Sequence, residues 1–222
     1  MAGCSVPGKN CIFTPSDAHQ NILRKKQRYS LSHLSAMQKT LQQYDQVVAS
    51  CRKVFSDKMK DYGSSWRVLR TRSITDQIFI KATRIRNIDE TGVSRVNEGI
   101  RPEFMGILNY SVMALIQLEW GAGEHDEVSQ QNILESYDKH VSEAKTLMLD
   151  KNHDYGEIWR NMRLSSFTDI ILMRILRIKQ IEDNNGKTFV SEGVAANYLD
   201  IINYAVFALI QILESKENSK QP

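Results

Sequence analysis

From about Ser32 onward, apolar residues recur along one helical face. Leu41, Tyr44, Val47, Val48, Cys51, Val54, Phe55 and Met59 keep the i, i+3, i+4, i+7 spacing of a helix with one buried side. Gly63 stands just past Asp61-Tyr62, where a glycine ends a helix. The pattern returns from about Asn132 through Tyr137, Val141, Ala144, Met148 and Tyr155 to Gly156. A second helix in each half opens at Ser73-Ile74-Thr75-Asp76 and Ser166-Phe167-Thr168-Asp169, both S-x-x-D capping boxes ahead of an apolar run. Polar loops follow at Asp89 to Asn97 and Glu182 to Lys187. A third helix, Phe104 to Leu118 and again Tyr198 to Leu213, is apolar almost all round, which predicts a central element.

These elements predict an all-α protein: a duplicated three-helix unit packed as an intrachain pseudo-dimer, a helical bundle about a pseudo-two-fold axis. The expected boundaries are an irregular basic arm over residues 1–31, a first repeat over 32–120 and a linker over 121–131. A second repeat over 132–215 and a tail over 216–222 complete the chain.

The polar residues carry the duplication most faithfully. Lys58-Met59-Lys60-Asp61-Tyr62-Gly63-Ser64-Ser65-Trp66-Arg67 returns as Lys151-Asn152-His153-Asp154-Tyr155-Gly156-Glu157-Ile158-Trp159-Arg160, Asp61 mapping onto Asp154. The same shift carries Ser73, Thr75, Asp76 and Arg84 onto Ser166, Thr168, Asp169 and Arg177, and one residue of insertion later Asn109-Tyr110 falls on Asn203-Tyr204. Core positions between them have drifted among apolar types, as cores tolerate. A retained polar set in a duplicated unit is a constraint that packing alone does not impose.

Charge narrows the picture further. Residues 1–40 hold six cations against Asp17 alone, a local +5, so the rest carries −2 of the chain's +3. The duplicated body therefore lacks the footprint of a duplex-binding protein, and nucleic acid would be met only through the basic arm at Arg24 to Arg28. No apolar run reads as a membrane span and no membrane partner is expected. Met1 to Lys9 has no apolar stretch of a secretory signal. Three cysteines, Cys4, Cys11 and Cys51, form no disulfide or zinc pattern, and a cytoplasmic location is expected.

Three constellations are candidates for chemistry. Asp61 and Asp154 sit at helix C-termini, the unfavourable end of the macrodipole for an acid. Each therefore needs a cation or a metal, and Lys58 or Lys151, three residues earlier, could supply the former. Lys81 with Arg84, copied as Arg174 with Arg177, inserts cations among Ile, Phe, Leu and Met, so these should meet carboxylates or a phosphate. Asp61 and Asp154 are the candidate carboxylates; snorkelling toward water is the alternative. In the third helix Asn109 and Asn203 are amides that must be hydrogen-bonded. Around them the copies diverge: Glu103 stands against Asn197, and Gly106 against Asp200. Two once-equivalent sites would then have separated, one keeping Glu103 and the other Asp200. Asp76 and Asp169 are accounted for by the capping box. The five histidines share no repeated position, and no Gly-rich phosphate loop, GxSxG or HExxH occurs.

The duplicated K-x-x-D-Y-G…W-R, then S-x-T-D, then Asp200-Ile201-Ile202-Asn203-Tyr204-Ala205 and Ala208-Leu209-Ile210-Gln211, resembles the nucleotide-modification-associated domain family, first of its series, in its long duplicated form. The resemblance covers about residues 40–215 and implies a role around nucleotide or DNA-base modification. A weaker resemblance is to the all-α MazG-type nucleotide pyrophosphohydrolases, which hold Mg²⁺ on ExxE and ExxD helices. Here Asn197-Tyr198-Leu199-Asp200 has Asn where that pattern has Glu, and no ExxE lies on the first helix.

The expectation is a nucleotide-binding helical protein with its ligand between the two repeats, and Mg²⁺-dependent hydrolysis of a nucleoside phosphate as the first enzymatic reading. Asp61, Asp154 and Asp200 would hold the metal or orient water. Lys58, Lys151, Lys81, Arg84, Arg174 and Arg177 would meet phosphate. Tyr62, Tyr155, Trp66, Trp159, Asn109, Asn203 and Glu103 would line the pocket. The alternative is a non-catalytic module, with a protein partner, whose repeated polar residues form an internal network.

Overall fold

A computed structural model describes residues 15–94, 99–124, 128–188, 190 and 192–218, with side chains described from residue 36 to residue 215 within those ranges. The chain divides into two compact units, residues 1–42 and residues 43–222. Residues 1–14 of the expected basic arm lie outside the described residues, as do the side chains of Arg24 to Arg28.

Helix is the regular structure throughout the described residues: α1 Pro15–Tyr62, α2 Thr71–Thr91, α3 Ile100–Trp120, α4 Gln130–Tyr155, α5 Leu164–Asp183 and α6 Val194–Asn218. Short 3-10 turns at Ser65–Val68 and Ile158–Asn161 link α1 to α2 and α4 to α5. The first helix starts at Pro15, not near Ser32 as the apolar periodicity suggested. Proline is pre-organised for the first helical position, and neither Gly nor Pro interrupts the chain again before Gly63. Gly63 and Gly156 end α1 and α4 with φ of 65° and 66°, the conformation that favours glycine.

The expected capping boxes are not formed. Helices α2 and α5 begin two residues before Ser73 and Ser166, at Thr71 and Leu164, and their N-caps Arg70 and Arg163 make no side-chain cap. The 3-10 turn and the extended residue that follows it deliver the chain into the helix early. Asp76 and Asp169 are thereby carried into the helix body and freed for another use. Asp76 pairs with Lys179 at 2.6 Å, and Asp169 with Arg86 at 2.5 Å.

Those two pairs are one contact seen twice, since Arg86 and Lys179 occupy the same position of the repeat. Two more contacts behave the same way. Tyr44 donates its hydroxyl to Asn203 Oδ1 at 2.9 Å, and Tyr137 donates to Asn109 Oδ1 at 2.9 Å. Arg52 pairs with Asp138 at 2.6 Å, and Lys145 with Asp45 at 2.6 Å. Reciprocal contacts of this kind are the mark of an isologous interface, here built within one chain.

Helices α3 and α6 pack on each other and carry the core. Phe104, Ile107, Leu108, Ile116, Ile201, Ile202 and Ile210 are fully buried, each worth about 1.5–3 kcal/mol of transfer free energy. The Val194–Ser215 stretch of α6 is long and apolar enough to cross a membrane, contrary to the sequence reading, yet 72% of its apolar window is buried inside the bundle. Polar inclusions in these helices are satisfied. Asn109 Nδ2 donates to the Cys51 carbonyl at 3.1 Å and Asn203 Nδ2 to that of Ala144 at 2.8 Å. Each amide thus ties its own repeat's first helix and receives the tyrosine of the other.

Replacing either amide removes its bond to a helix carbonyl and leaves a buried phenol without its partner, and an orphaned buried group costs about 1–3 kcal/mol. Asn109→Ala and Asn203→Ala are expected to lower unfolding stability in urea by about 2–4 kcal/mol each, and by similar amounts. A loss below about 1 kcal/mol at either position, or a marked inequality between them, would count against the reciprocal network.

Candidate functional site

The repeated Trp-Arg element is a buckle between the 3-10 turn and the third helix. Trp66 packs near Phe55, with ring centroids 6.2 Å apart, and Trp159 stacks on Phe207 at 4.3 Å. Arg67 is buried, donates to the Gly121 carbonyl at 2.8 Å and to Gln117 Oε1, and Gln117 Nε2 donates back to the carbonyls of Arg67 and Leu69 at 2.9 and 2.5 Å. Gln211 repeats this, donating to the carbonyls of Trp159 and Met162 at 3.1 and 3.0 Å. Arg160 bonds Glu157 and Glu214 and lies 4.3 Å from the Trp159 ring centre.

Lys81, Arg84 and Arg174 of the second helices meet acids of the third helices, not Asp61 or Asp154. In the first repeat Glu103, buried, receives Lys81 at 3.2 Å and Arg84. In the second repeat Asp200, also buried, receives Lys151 and, at 2.7 Å, Arg174, whose Nη1 also donates to Asn197 Oδ1 at 3.2 Å. Each repeat therefore buries one carboxylate between two cations. The acids sit one helical turn apart in the repeat, as the divergence of Glu103 and Asp200 in the sequence implied.

That turn of displacement has a consequence for the space nearby. Gly106 occupies the Asp200 position of the first repeat, and the Lys81 side chain lies against it: a β-carbon there would fall 2.5 Å from Lys81 Cε. Lys58, counterpart of Lys151, then has no carboxylate to meet and forms no ion pair among the described residues. A cavity of about 630 Å³ opens at this point. Lys58, Tyr62, Trp66, Lys81, Glu103 and Asn109 line it, joined by Gly106 and Tyr110, and by Arg101 and Met113, which the sequence did not single out. Every lining residue belongs to the first repeat, so the cavity is not between the repeats as expected.

The volume falls in the range of small-molecule pockets, and the lining combines an apolar wall with a few polar groups, as such pockets do. Three cations, Lys58, Lys81 and Arg101, face one acid, Glu103, which is already engaged. Lys81 Nζ also lies 5.9 Å from the Tyr110 ring centre. Asn109 contributes to the wall, but both ends of its amide are occupied by Cys51 and Tyr137.

The remaining expected residues are dispersed. Asp61 and Asp154 are exposed at the ends of α1 and α4; Asp61 has no ion pair among the described residues, and Asp154 has only its neighbour His153, at 3.1 Å. Tyr155 is exposed, and Trp159 and Asn203 are committed to packing and to the reciprocal amide. Arg177 lines a separate cavity beside Arg174, in the second repeat. Among the described residues no three His, Cys, Asp or Glu side chains are grouped to hold a metal. With Asp61 and Asp154 in solvent and Asp200 held by two cations, these acids do not fit a shared Mg²⁺. Cys51 offers no nucleophile either, because burial pushes its thiol up to about 12.

The sequence profile of the nucleotide modification associated domain 1 family matches the chain twice, over residues 58–118 and 151–212. The chain belongs to this family. Membership links it to nucleotide metabolism, and the two matches coincide with the two structural repeats, each running from the last turn of α1 or α4 through the third helix. No curated protein and no solved structure matches the chain.

Removing Asp200 strands two cations, one of them largely buried, and breaking such a pair from one side costs about 3–5 kcal/mol when burial is complete. Because Lys151 is half-exposed, Asp200→Asn is expected to cost somewhat less, about 2–3 kcal/mol. Asp61→Asn with Asp154→Asn should leave the melting temperature within error. A double mutant as damaged as Asp200→Asn in thermal unfolding would contradict the placement of these acids.

Proposed function

We propose that this member of the nucleotide modification associated domain family binds a nucleotide or nucleotide-derived phosphate in the cavity of its first repeat. The observation that carries the reading is Lys58. Its counterpart in the second repeat is neutralised by a buried aspartate, whereas Lys58 faces an open cavity across a glycine. A cation left facing an accessible pocket is a cation available to an anionic ligand. Lys81 and Arg101 add charge on the same wall, and Tyr62 and Tyr110 offer ring faces on which a base can stack.

Binding is better supported than hydrolysis. The one acid on the cavity wall, Glu103, is held by two cations, which leaves no spare carboxylate to orient water. The alternative of a purely internal network describes the repeated amides, tyrosines and Trp-Arg pairs well. It does not describe Lys58, Arg101 or the cavity, which are the unsymmetrical parts.

The test is thermal unfolding against nucleoside mono-, di- and triphosphates, with and without Mg²⁺. A ligand at about 100 times its Kd should stabilise the protein by roughly 2.7 kcal/mol. Lys58→Ala should weaken that ligand by about tenfold, and Gly106→Asp, which restores the second repeat's acid, should abolish binding while the fold persists. If no nucleotide shifts the transition, or if the shift survives Gly106→Asp unchanged, the proposal fails.

A further inference from the structure

A second cavity, of about 420 Å³, lies where the C-terminal end of α2 meets the N-terminal end of α5; Arg86, Asp89, Glu90, Ser165, Thr168 and Asp169 are among its lining residues. The duplication supplies its counterpart, in which Lys179, Glu182, Asp183, Arg72, Thr75 and Asp76 take the same places. One ion pair is common to both: Arg86 with Asp169, Lys179 with Asp76. The rest differs, and the differences all point one way.

On the counterpart side an arginine of the chain lies over the equivalent residues. Arg72 Nη2 donates to the Glu182 backbone carbonyl, and Nη1 lies 3.7 Å from the Asp183 carboxylate. Thr75 Oγ1 is 2.7 Å from the Tyr198 hydroxyl and donates to the Glu182 carboxylate at 3.4 Å. At the cavity, Ser165 stands in place of Arg72 and Phe104 in place of Tyr198. Asp89 and Glu90, the counterparts of Glu182 and Asp183, have no ion pair among the described residues. Thr168 is 3% exposed and lines the cavity, and its Oγ1 has no hydrogen-bond partner. A buried hydroxyl without a partner is costly and is usually met by something.

We propose that this cavity is a binding site for a guanidinium group, the group that Arg72 places at the equivalent position of the other half. Asp89 and Glu90 supply the negative charge, reinforced by the carbonyl end of α2. Thr168 lies on the wall, and Ile85 and Ile88 flank the apolar part of the ligand. Arg86 does not oppose the incoming charge at full strength, because Asp169 holds it at 2.5 Å. The forked donors of a guanidinium can address a carboxylate and a carbonyl together; an alkylammonium presents a point charge and cannot.

The experiment is calorimetric titration of the full chain with ethylguanidinium, with ethylammonium as the comparison. Saturable binding of ethylguanidinium is expected, tighter than that of ethylammonium. Asp89→Asn with Glu90→Gln, both exposed positions, should weaken it about tenfold or more. Ser165→Arg should abolish it and raise the melting temperature, since the new side chain occupies the site as Arg72 does. Tighter binding of Gly-Gly-Arg-Gly-Gly than of ethylguanidinium would assign the site to an arginine on a polypeptide, and equal binding to a small guanidinium compound. Absence of saturable binding by the wild-type chain, or equal affinity in the Asp89/Glu90 double variant, overturns the proposal. Should Ser165→Arg fail to fold, that double variant alone decides.

Discussion

Two cations converge inside each repeat and have to be met there, and how each repeat meets that demand shapes the rest of its chemistry. Cations among Ile, Leu and Met are tolerable only with a carboxylate at hand. The second repeat supplies Asp200, set so that Lys151 and Arg174 both reach it. The first supplies Glu103, one turn earlier, and satisfies Lys81 and Arg84 from there. Charge is balanced in both. Space is not, because the first repeat has Gly106 at the Asp200 position, Lys81 lies against it, and a cavity opens beside the two.

The duplication provides the frame in which such a move is affordable. Tyr44 with Asn203 and Tyr137 with Asn109 join the repeats through the core, while Asp76, Asp169, Asp45 and Asp138 do so nearer the surface. The surface pairs contribute little individually to stability. The buried amides matter more, because each satisfies a backbone carbonyl of its own repeat and a phenol of the other. They hold the register, and a register fixed at these points lets other positions drift.

Much of the fold was legible in the sequence. The central helices showed themselves by being apolar all round, and Gly63 and Gly156 marked helix ends because positive φ needs them. Helix starts were harder: S-x-x-D reads as a cap, but a 3-10 turn upstream began the helix sooner and gave Asp76 and Asp169 to the other repeat. The candidate cavity was legible in part. Lys58, Lys81, Tyr62, Trp66, Asn109 and Glu103 line one cavity, whereas Asp61, Asp154 and Tyr155 lie in solvent. Helix periodicity could not say that a carboxylate three residues from a lysine would be bypassed for one on another helix. Nor does a glycine announce the space it leaves. The repeated glutamines, Gln117 and Gln211, were the overlooked signal for the buckle at the Trp-Arg turn.

Within one duplicated chain, repetition and divergence carry different information. A residue kept in both halves is kept by what both halves share, which is the packing within each half and of one half on the other. Asn109 and Asp76 make contacts across the halves, and Trp66 and Arg67 make theirs inside one half. A ligand that occupies one half breaks the symmetry, and the residues that serve it are under no pressure to repeat. Gly106 against Asp200 and Ser165 against Arg72 are such breaks, and each coincides with a cavity on the side that lost the larger side chain. The repeated polar set that first draws the eye is therefore scaffold for the most part, and the chemistry is to be sought where the two copies disagree.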